Sequence, residues 1–295
     1  MDLDFKELLA RHQINPRDVL VLRHTPKEPD LRRVFHWLAA EHPAVFNAYQ
    51  QTQNAHVEKE MKDATYIASF LGDAPRSALF VGLYQRHGQK LRSPHQIRSE
   101  PTVRVLEKYG CRPETRPRLW FDLRLLEDFF GDWKGKLKIQ WPGKEINYHR
   151  RADRADFRIT AIHEDSRLSR EPPVSYEEWD LKWDDLKLLP ESWRAKLREW
   201  RGVYFIFDTS DGRGYVGSAS GAQNLLGRWL NYANRGDGGN QKLRTRNPRN
   251  FRFSILEVVG PETDRERVIQ REEGWKLRLR TRTRTHGLNL PELEY

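Results

Sequence analysis

Residues 202–217 read GVYFIFDTSDGRGYVG. Val203, Phe205 and Phe207 alternate with Tyr204 and Ile206, the period of two that a half-buried strand requires. The segment from Asp208 to Gly214 carries Asp211-Gly212 and a second glycine, residues that tolerate the positive φ angles of a hairpin turn. Tyr215, Val216 and Gly217 begin the returning strand, so two tyrosines are expected side by side on neighbouring strands.

Outward from this hairpin, Ser220-Gly-Ala-Gln223 has the form of a capping box. It predicts a helix to about Asn234, with Arg228 and Tyr232 four residues apart on one face and Leu225 and Trp229 anchoring the other. Phe251 to Val259 predicts a third strand. Thr263-Asp-Arg-Glu266 has the form of a second capping box, opening a helix that carries Val268, Ile269, Glu272, Trp275 and Leu279. Glu272 lies in that apolar stripe, where a carboxylate is costly unless paired or metal-bound; Glu273 faces outward.

The tripeptides Gly202-Val203-Tyr204 and Tyr215-Val216-Gly217, with ten residues between them, resemble the signature of the GIY-YIG nucleases, and Arg228, Glu272 and Asn289 follow in the family's order. The resemblance covers about the last third of the chain. It implies a small three-stranded antiparallel sheet flanked by helices, and a phosphodiester-cutting site using one divalent ion, Mg2+ or Mn2+. By that resemblance Glu272 holds the metal and Arg228 stabilises the charge that grows on the phosphate. Tyr204 orients or deprotonates the attacking water, Tyr215 and Tyr232 complete the polar network, and Asn289 orients Glu272 or the backbone near it. Asn240 and Lys242 fall where relatives carry polar neighbours of the active site. Two departures stand out: the spacing from Gly217 to Arg228 is longer than in compact members, and Tyr232 stands where many have histidine.

The chain has 295 residues, a net charge of +10 and a pI near 9.7. A basic surface of this kind concentrates phosphates, so the expected partner is a polyanion, DNA. The run from Lys276 to Gly287 bears a cation at every second residue. Lys276, Arg278, Arg280, Arg282 and Arg284, with Lys242, Arg244 and Arg246 before them, are expected to meet phosphates. Cys111 is the single cysteine, which excludes an intrachain disulfide and a cysteine zinc cluster and fits a reducing cytoplasm. The N-terminus lacks a basic stretch followed by an apolar core, and no run is long and apolar enough for a membrane span; no membrane partner is expected.

Before the nuclease-like region, residues 1–64 read as a helical segment with one short apolar run, Val19 to Leu22. Asp30 is the expected N-cap of a helix bearing Leu31, Val34, Phe35 and Leu38, and Pro43 opens another. His24, His36, His42 and His56 lie here without a ligand-like spacing. Residues 65–164 read as β-rich, a small curved sheet or barrel, with strands at Tyr66–Leu71, Leu79–Tyr84, Val103–Leu106, Leu137–Trp141 and Phe157–Ile162 and a helix over Asp122–Phe130. Aromatic rings alternate there with Lys136, Lys138, Lys144 and Arg150. Trp133 and Trp141 are thus candidates for stacking on bases, although the same rings suit a β-domain core. Residues 165–178, with adjacent prolines, read as a linker, and 179–295 as the nuclease domain with a helical lead-in.

The whole is expected to be an α+β, two-part, cytoplasmic DNA endonuclease, targeted by its N-terminal domain and serving restriction or anti-phage defence, with modified DNA as one class of target. A repair or mobile-element nuclease and a non-catalytic DNA-binding protein are the alternatives. One site cuts one strand, so a double-strand break calls for a homodimer on DNA or two successive nicks.

Overall fold

The computed structural model describes residues 3–127, 131–144, 147–168, 171–235, 240–282 and 286–290. The chain forms two compact units, residues 1–170 and 171–295.

Unit 1 begins with α1 (Phe5–Arg11), β1 (Val19–His24), α2 (Pro29–Glu41), α3 (Pro43–Gln50), α4 (Ala55–Asp63) and β2 (Tyr66–Ala74). It continues with β3 (Ser77–Arg92), α5 (Pro94–Ser99), α6 (Pro101–Lys108), β4 (Arg118–Leu125), β5 (Leu137–Gln140), β6 (His149–Arg151) and β7 (Ile159–Ile162). The strands make one curled half-barrel sheet in the order β6-β1-β2-β3-β5-β7, with β4 paired to β3. β1 and β2 are parallel, and a parallel pair needs a long crossover, which α2, α3 and α4 supply. Phe5, Phe70, Phe80, Trp141 and Phe157 lie in one apolar cluster.

Several sequence expectations change here. The separation at residue 65 does not hold, because β1 pairs with β2 along its whole length and so belongs to the same sheet. Val103–Leu106 lies in α6, not a strand. The predicted helix over Asp122–Phe130 is the strand β4 as far as Leu125, held by an antiparallel ladder to β3 with one bulge between Arg86 and Gly88; residues 128–130 lie outside the described residues. α2 starts at Pro29 with Glu28 at the cap position, not at Asp30, since proline pre-sets the φ of a first helical residue.

Unit 2 contains β8 (Asp180–Lys182), α7 (Glu191–Glu199), β9 (Arg201–Asp208), β10 (Arg213–Ala219), α8 (Asn224–Arg235), α9 (Gln241–Arg244), β11 (Phe251–Val259) and α10 (Arg265–Arg278). Its antiparallel sheet runs β10-β9-β11-β8: the three expected strands, extended at one edge by the short β8. Trp179 packs at 4.8 Å from Trp193 and 5.3 Å from Trp200, closing the lead-in over its own aromatic cluster. Neither predicted capping box forms. α8 begins at Asn224, whose Nδ2 donates to the Arg198 carbonyl at 2.8 Å, and α10 begins after Asp264, whose side chain makes no cap bond. Among the described residues no helix is long and apolar enough to cross a membrane.

Candidate active site

The β9–β10 hairpin sets Tyr204 opposite Gly217 and Tyr215 opposite Ile206. Gly217 is there for its missing side chain: a Cβ would collide with the Tyr204 phenol ring. The turn is held from inside. Asp208 Oδ1 accepts from the Ser210 backbone N–H at 2.9 Å, and its Oδ2 from Arg246 Nη1 at 2.7 Å, while Gly212 takes the positive φ of +76° that the turn demands. Burial pushes the Asp208 carboxyl up, but the bonds from Ser210 and Arg246 outweigh it and leave the group below its usual range.

α8 turns Tyr232 and Trp229 inward, both fully buried. The Tyr204 and Tyr232 hydroxyls meet at 3.0 Å, and Tyr215 stands 6.5 Å, centroid to centroid, from each of the other two rings. Trp229 and Phe253 back the cluster. Burial, then the neighbouring Tyr215, raises the Tyr204 phenol despite the nearby Arg228, and burial raises Tyr232 as well. Conversely, the phenols, Tyr204 first, strengthen the hold of Arg228 on its charge. The expectation is that Tyr204 orients or deprotonates the attacking water; its raised phenol works against the second role, and its hydroxyl, fully buried, meets Tyr232 and Arg228.

One residue farther toward the helix N-terminus than Trp229, Arg228 reaches a cleft of about 580 Å3, lined also by Ser218, Ile269, Glu272, Glu273 and Lys276. The two Glu272 carboxylate oxygens have different partners. Oε2 accepts from the Ser218 hydroxyl, and Oε1 lies 2.5 Å from the Lys276 ammonium. Lys276 also meets Glu273 at 2.7 Å; burial works against its charge, and the two carboxylates more than restore it. Tyr204, Tyr215, Tyr232, Arg228 and Glu272 thus lie on β9, β10, α8 and α10, whose packed ends share this region, with Arg228 and Glu272 in one cleft.

Asn289 does something other than expected. Its Oδ1 accepts from the Val216 N–H at 2.9 Å and its Nδ2 donates to the Val216 carbonyl at 2.7 Å. It clamps β10 between Tyr215 and Gly217 and does not touch Glu272. Asn240 is likewise structural, capping α9 by accepting from Lys242 N and Leu243 N.

The predicted phosphate contacts divide. Lys242 and Arg244 are exposed on α9. Arg246 is instead a strut, bonded to Asp208 at 2.7 Å and Asp211 at 2.8 Å, so its charge is already matched. Lys276 faces the cleft; Arg278 lies 5.1 Å over the Trp275 ring; Arg280 is exposed at a left-handed φ of +51°; Arg282 bonds Glu273 at 2.6 Å. Arg284 lies outside the described residues. The alternate cations do not form one edge, because Lys276 and Arg278 are helical and helical neighbours two apart diverge.

Both tryptophans proposed for stacking belong to the unit 1 core. Trp141 is fully buried against Phe157, its indole N–H donating to the Asn147 carbonyl at 3.2 Å. Trp133 is half-buried and packs on the same cluster.

Sequence reasoning passed over Ser218 and the Asp208–Arg246 pair. Ser218 directly follows the second tripeptide on β10, and a small hydroxyl at that register, facing the helix that carries the acid, was the available signal.

A model of the GIY-YIG catalytic domain matches residues 201–285. This segment is a GIY-YIG catalytic domain. The GIY-YIG domain is similar to the catalytic domain of homing endonuclease I-TevI at 27% identity over 31% of this chain and 99% of that one, with a TM-score of 0.26. A mutant of the catalytic domain of intron endonuclease I-TevI aligns at 24% identity over 32% of this chain and 98% of that one, again with a TM-score of 0.26. A search of curated proteins finds no match. The GIY-YIG domain makes the chain a nuclease that hydrolyses phosphodiester bonds, and GIY-YIG nucleases are generally metal-dependent.

The residues present suit such an ion. Among the described residues no group of three or more His, Cys, Asp or Glu gathers at one point, so Glu272 would hold a metal with water and phosphate oxygens completing the shell, a common arrangement for Mg2+. Both Glu272 oxygens already bind positively polarised partners at the cleft wall, the electrostatic setting a cation would take over.

Proposed function

We propose that the protein is a Mg2+- or Mn2+-dependent DNA endonuclease whose unit 1 selects the DNA, acting in the cytoplasm in restriction or anti-phage defence. The reading is carried by one observation: Arg228 and Glu272, 44 positions apart in sequence, line one cleft beside the buried tyrosine cluster.

The scissile phosphate lies in the cleft with a non-bridging oxygen toward Arg228. The Arg228 guanidinium neutralises charge as the phosphorus becomes five-coordinate, and it is pre-set for this because the phenols around it hold it in place. The Tyr204 and Tyr232 hydroxyls, joined at 3.0 Å, lie behind the cleft wall, and Tyr204 bonds Arg228 and so holds it toward the phosphate. Ser218 fixes the rotamer of Glu272. A metal bound by Glu272 would polarise the phosphoryl oxygen and stabilise the departing one. Lys276, displaced from Glu272, is then within reach of a phosphate. A single such site nicks one strand, and a homodimer on DNA gives the double-strand break.

Supercoiled plasmid with Mg2+ tests this. Wild-type protein converts it to nicked and linear forms, Glu272→Ala leaves it supercoiled, and equal products from both would refute the assignment.

A further inference from the structure

Unit 1 has a cleft of about 550 Å3 at the carboxyl end of β1, walled by His24, Tyr49, Gln53, Asn54, Arg118 and Tyr148. The size is that of a small-molecule site. Its place, where a strand of a parallel pair ends and its crossover begins, is where α/β sheets commonly bind ligands.

The lining combines rings with polar edges. His24 stands edge-on to Tyr49 at 5.7 Å, and its Nε2 bonds the buried Gln50 Oε1 at 3.2 Å; burial lowers it to about 4, so it is a neutral ring. The Tyr148 hydroxyl accepts from Asn54 Nδ2 at 2.8 Å and donates to Gln53 Oε1 at 3.1 Å. The Tyr49 ring packs on Phe35 at 4.7 Å, while its hydroxyl makes no hydrogen bond with a described residue. Burial, and then Cys111 and Glu28, raise that phenol, leaving a neutral donor and acceptor.

Charge narrows the ligand. Arg118 is matched by Glu114 at 3.0 Å, and the Arg23 guanidinium is bonded to the Ser77 and Ala74 carbonyls and the Thr25 hydroxyl. Lys27, Glu28 and Glu114 line the same cleft, so its charges are of both signs and no cluster of unengaged cations is set for a phosphate. A neutral, planar ligand with donors and acceptors on its edge fits. Among the parts of DNA that is a base, whose phosphates stay outside on the backbone; a free nucleotide would bring its phosphates in.

We propose that this cleft receives a single nucleobase that DNA presents as an extruded nucleotide. The inference rests on the reading of the protein as a DNA endonuclease and gives unit 1 its means of choosing where to bind. Unpairing costs a few kcal/mol and least at a mismatch, so a site that takes up a base prefers mismatched duplexes.

The test measures binding of the full chain, without divalent ion, to a labelled duplex with one central T·T mismatch and to its fully paired counterpart. Wild-type protein is expected to bind the mismatched duplex about tenfold tighter. Tyr49→Phe, which keeps the packed ring and removes the free hydroxyl, and Gln53→Ala are each expected to bring the ratio close to one by weakening binding of the mismatched duplex, with the affinity for the paired duplex unchanged. A wild-type ratio of one, or a ratio unchanged in both variants, overturns the proposal; the latter would mean that the preference reflects only the flexibility of mismatched DNA. Displacement of the duplex by micromolar thymidine monophosphate would also overturn it, marking a free-nucleotide site. Loss of nicking in wild-type protein would refute the endonuclease reading and leave the binding ratio to judge the cleft by itself.

Discussion

Asn289 and Val216 are joined by two hydrogen bonds, one in each direction, at 2.9 and 2.7 Å. This ring fixes the strand between Tyr215 and Gly217 and turns a side chain 73 positions away into part of the sheet. Asn289→Ala leaves a buried N–H and a buried carbonyl unpaired, at a cost of about 1–3 kcal/mol for each group. Urea unfolding of the variant is expected to show a midpoint well below that of the parent. Asn289→Asp, which keeps the acceptor and loses the donor, should fall between the two.

Arg228 carries the charge of the cleft. Arg228→Lys keeps a cation but loses the planar fork that meets two phosphate oxygens, and nicking is expected to slow about 100-fold with little change in thermal midpoint. A rate within twofold of the parent would remove Arg228 from the chemistry.

Lys276 sits 2.5 Å from Glu272 and competes with any divalent ion for that carboxylate. Lys276→Met is therefore expected to bind Mn2+ about tenfold more tightly, as one unit charge at about 4 Å is worth about 1–4 kcal/mol at effective dielectrics of 80 to 20. Titration calorimetry reads this directly, whatever the variant does to nicking.

Arg246 is the counter-charge of the buried Asp208. Arg246→Ala strands that carboxylate and is expected to cost about 3 kcal/mol, with Asp208→Asn in the same chain recovering part of the loss. Because the Asp208 carboxyl titrates below its ordinary range in the folded protein, its contribution is present at neutral pH and fades as pH falls below about 4.

His24 gives a second acid-sensitive contribution of independent origin. The buried ring is neutral with its pKa lowered to about 4 from 6.5, so between those values the unfolded chain binds the proton that the folded one refuses. Stability is therefore lost as pH falls from about 6.5 to 4, by about 3 kcal/mol in all. His24→Gln is expected to flatten this part of the pH profile of unit 1 unfolding, and a profile of unchanged slope would exclude His24 as its source.

Much of unit 2 was legible in the sequence because its signals are local. Alternation over 202–207, a glycine turn and a helical spacing of Arg228 to Tyr232 each state their geometry within a few residues. Periodicity sets Glu272 inward and Glu273 outward, but the cleft holds both: Glu272 reaches Ser218, and Glu273 bonds Lys276 and Arg282. What was not legible came from distant partners. Asn289 pairs with Val216, and Arg246 with Asp208, across separations that no local pattern encodes. In unit 1 the local pattern of Asp122–Phe130 points to a helix, and the ladder to β3 overrides it as far as Leu125. Trp141 shows the same ambiguity: a ring beside lysines looks like a stacking platform until Phe157 and the Asn147 carbonyl occupy its face and edge.

Helix α8 supplies Arg228 to the cleft and, on the very next residue, Trp229 to the centre of unit 2. Reactive chemistry and mechanical integrity are thus borne by the same two turns of backbone. Heat inactivation and loss of the near-ultraviolet aromatic signal should follow one curve, with no temperature at which unit 2 stays intact yet has gone silent.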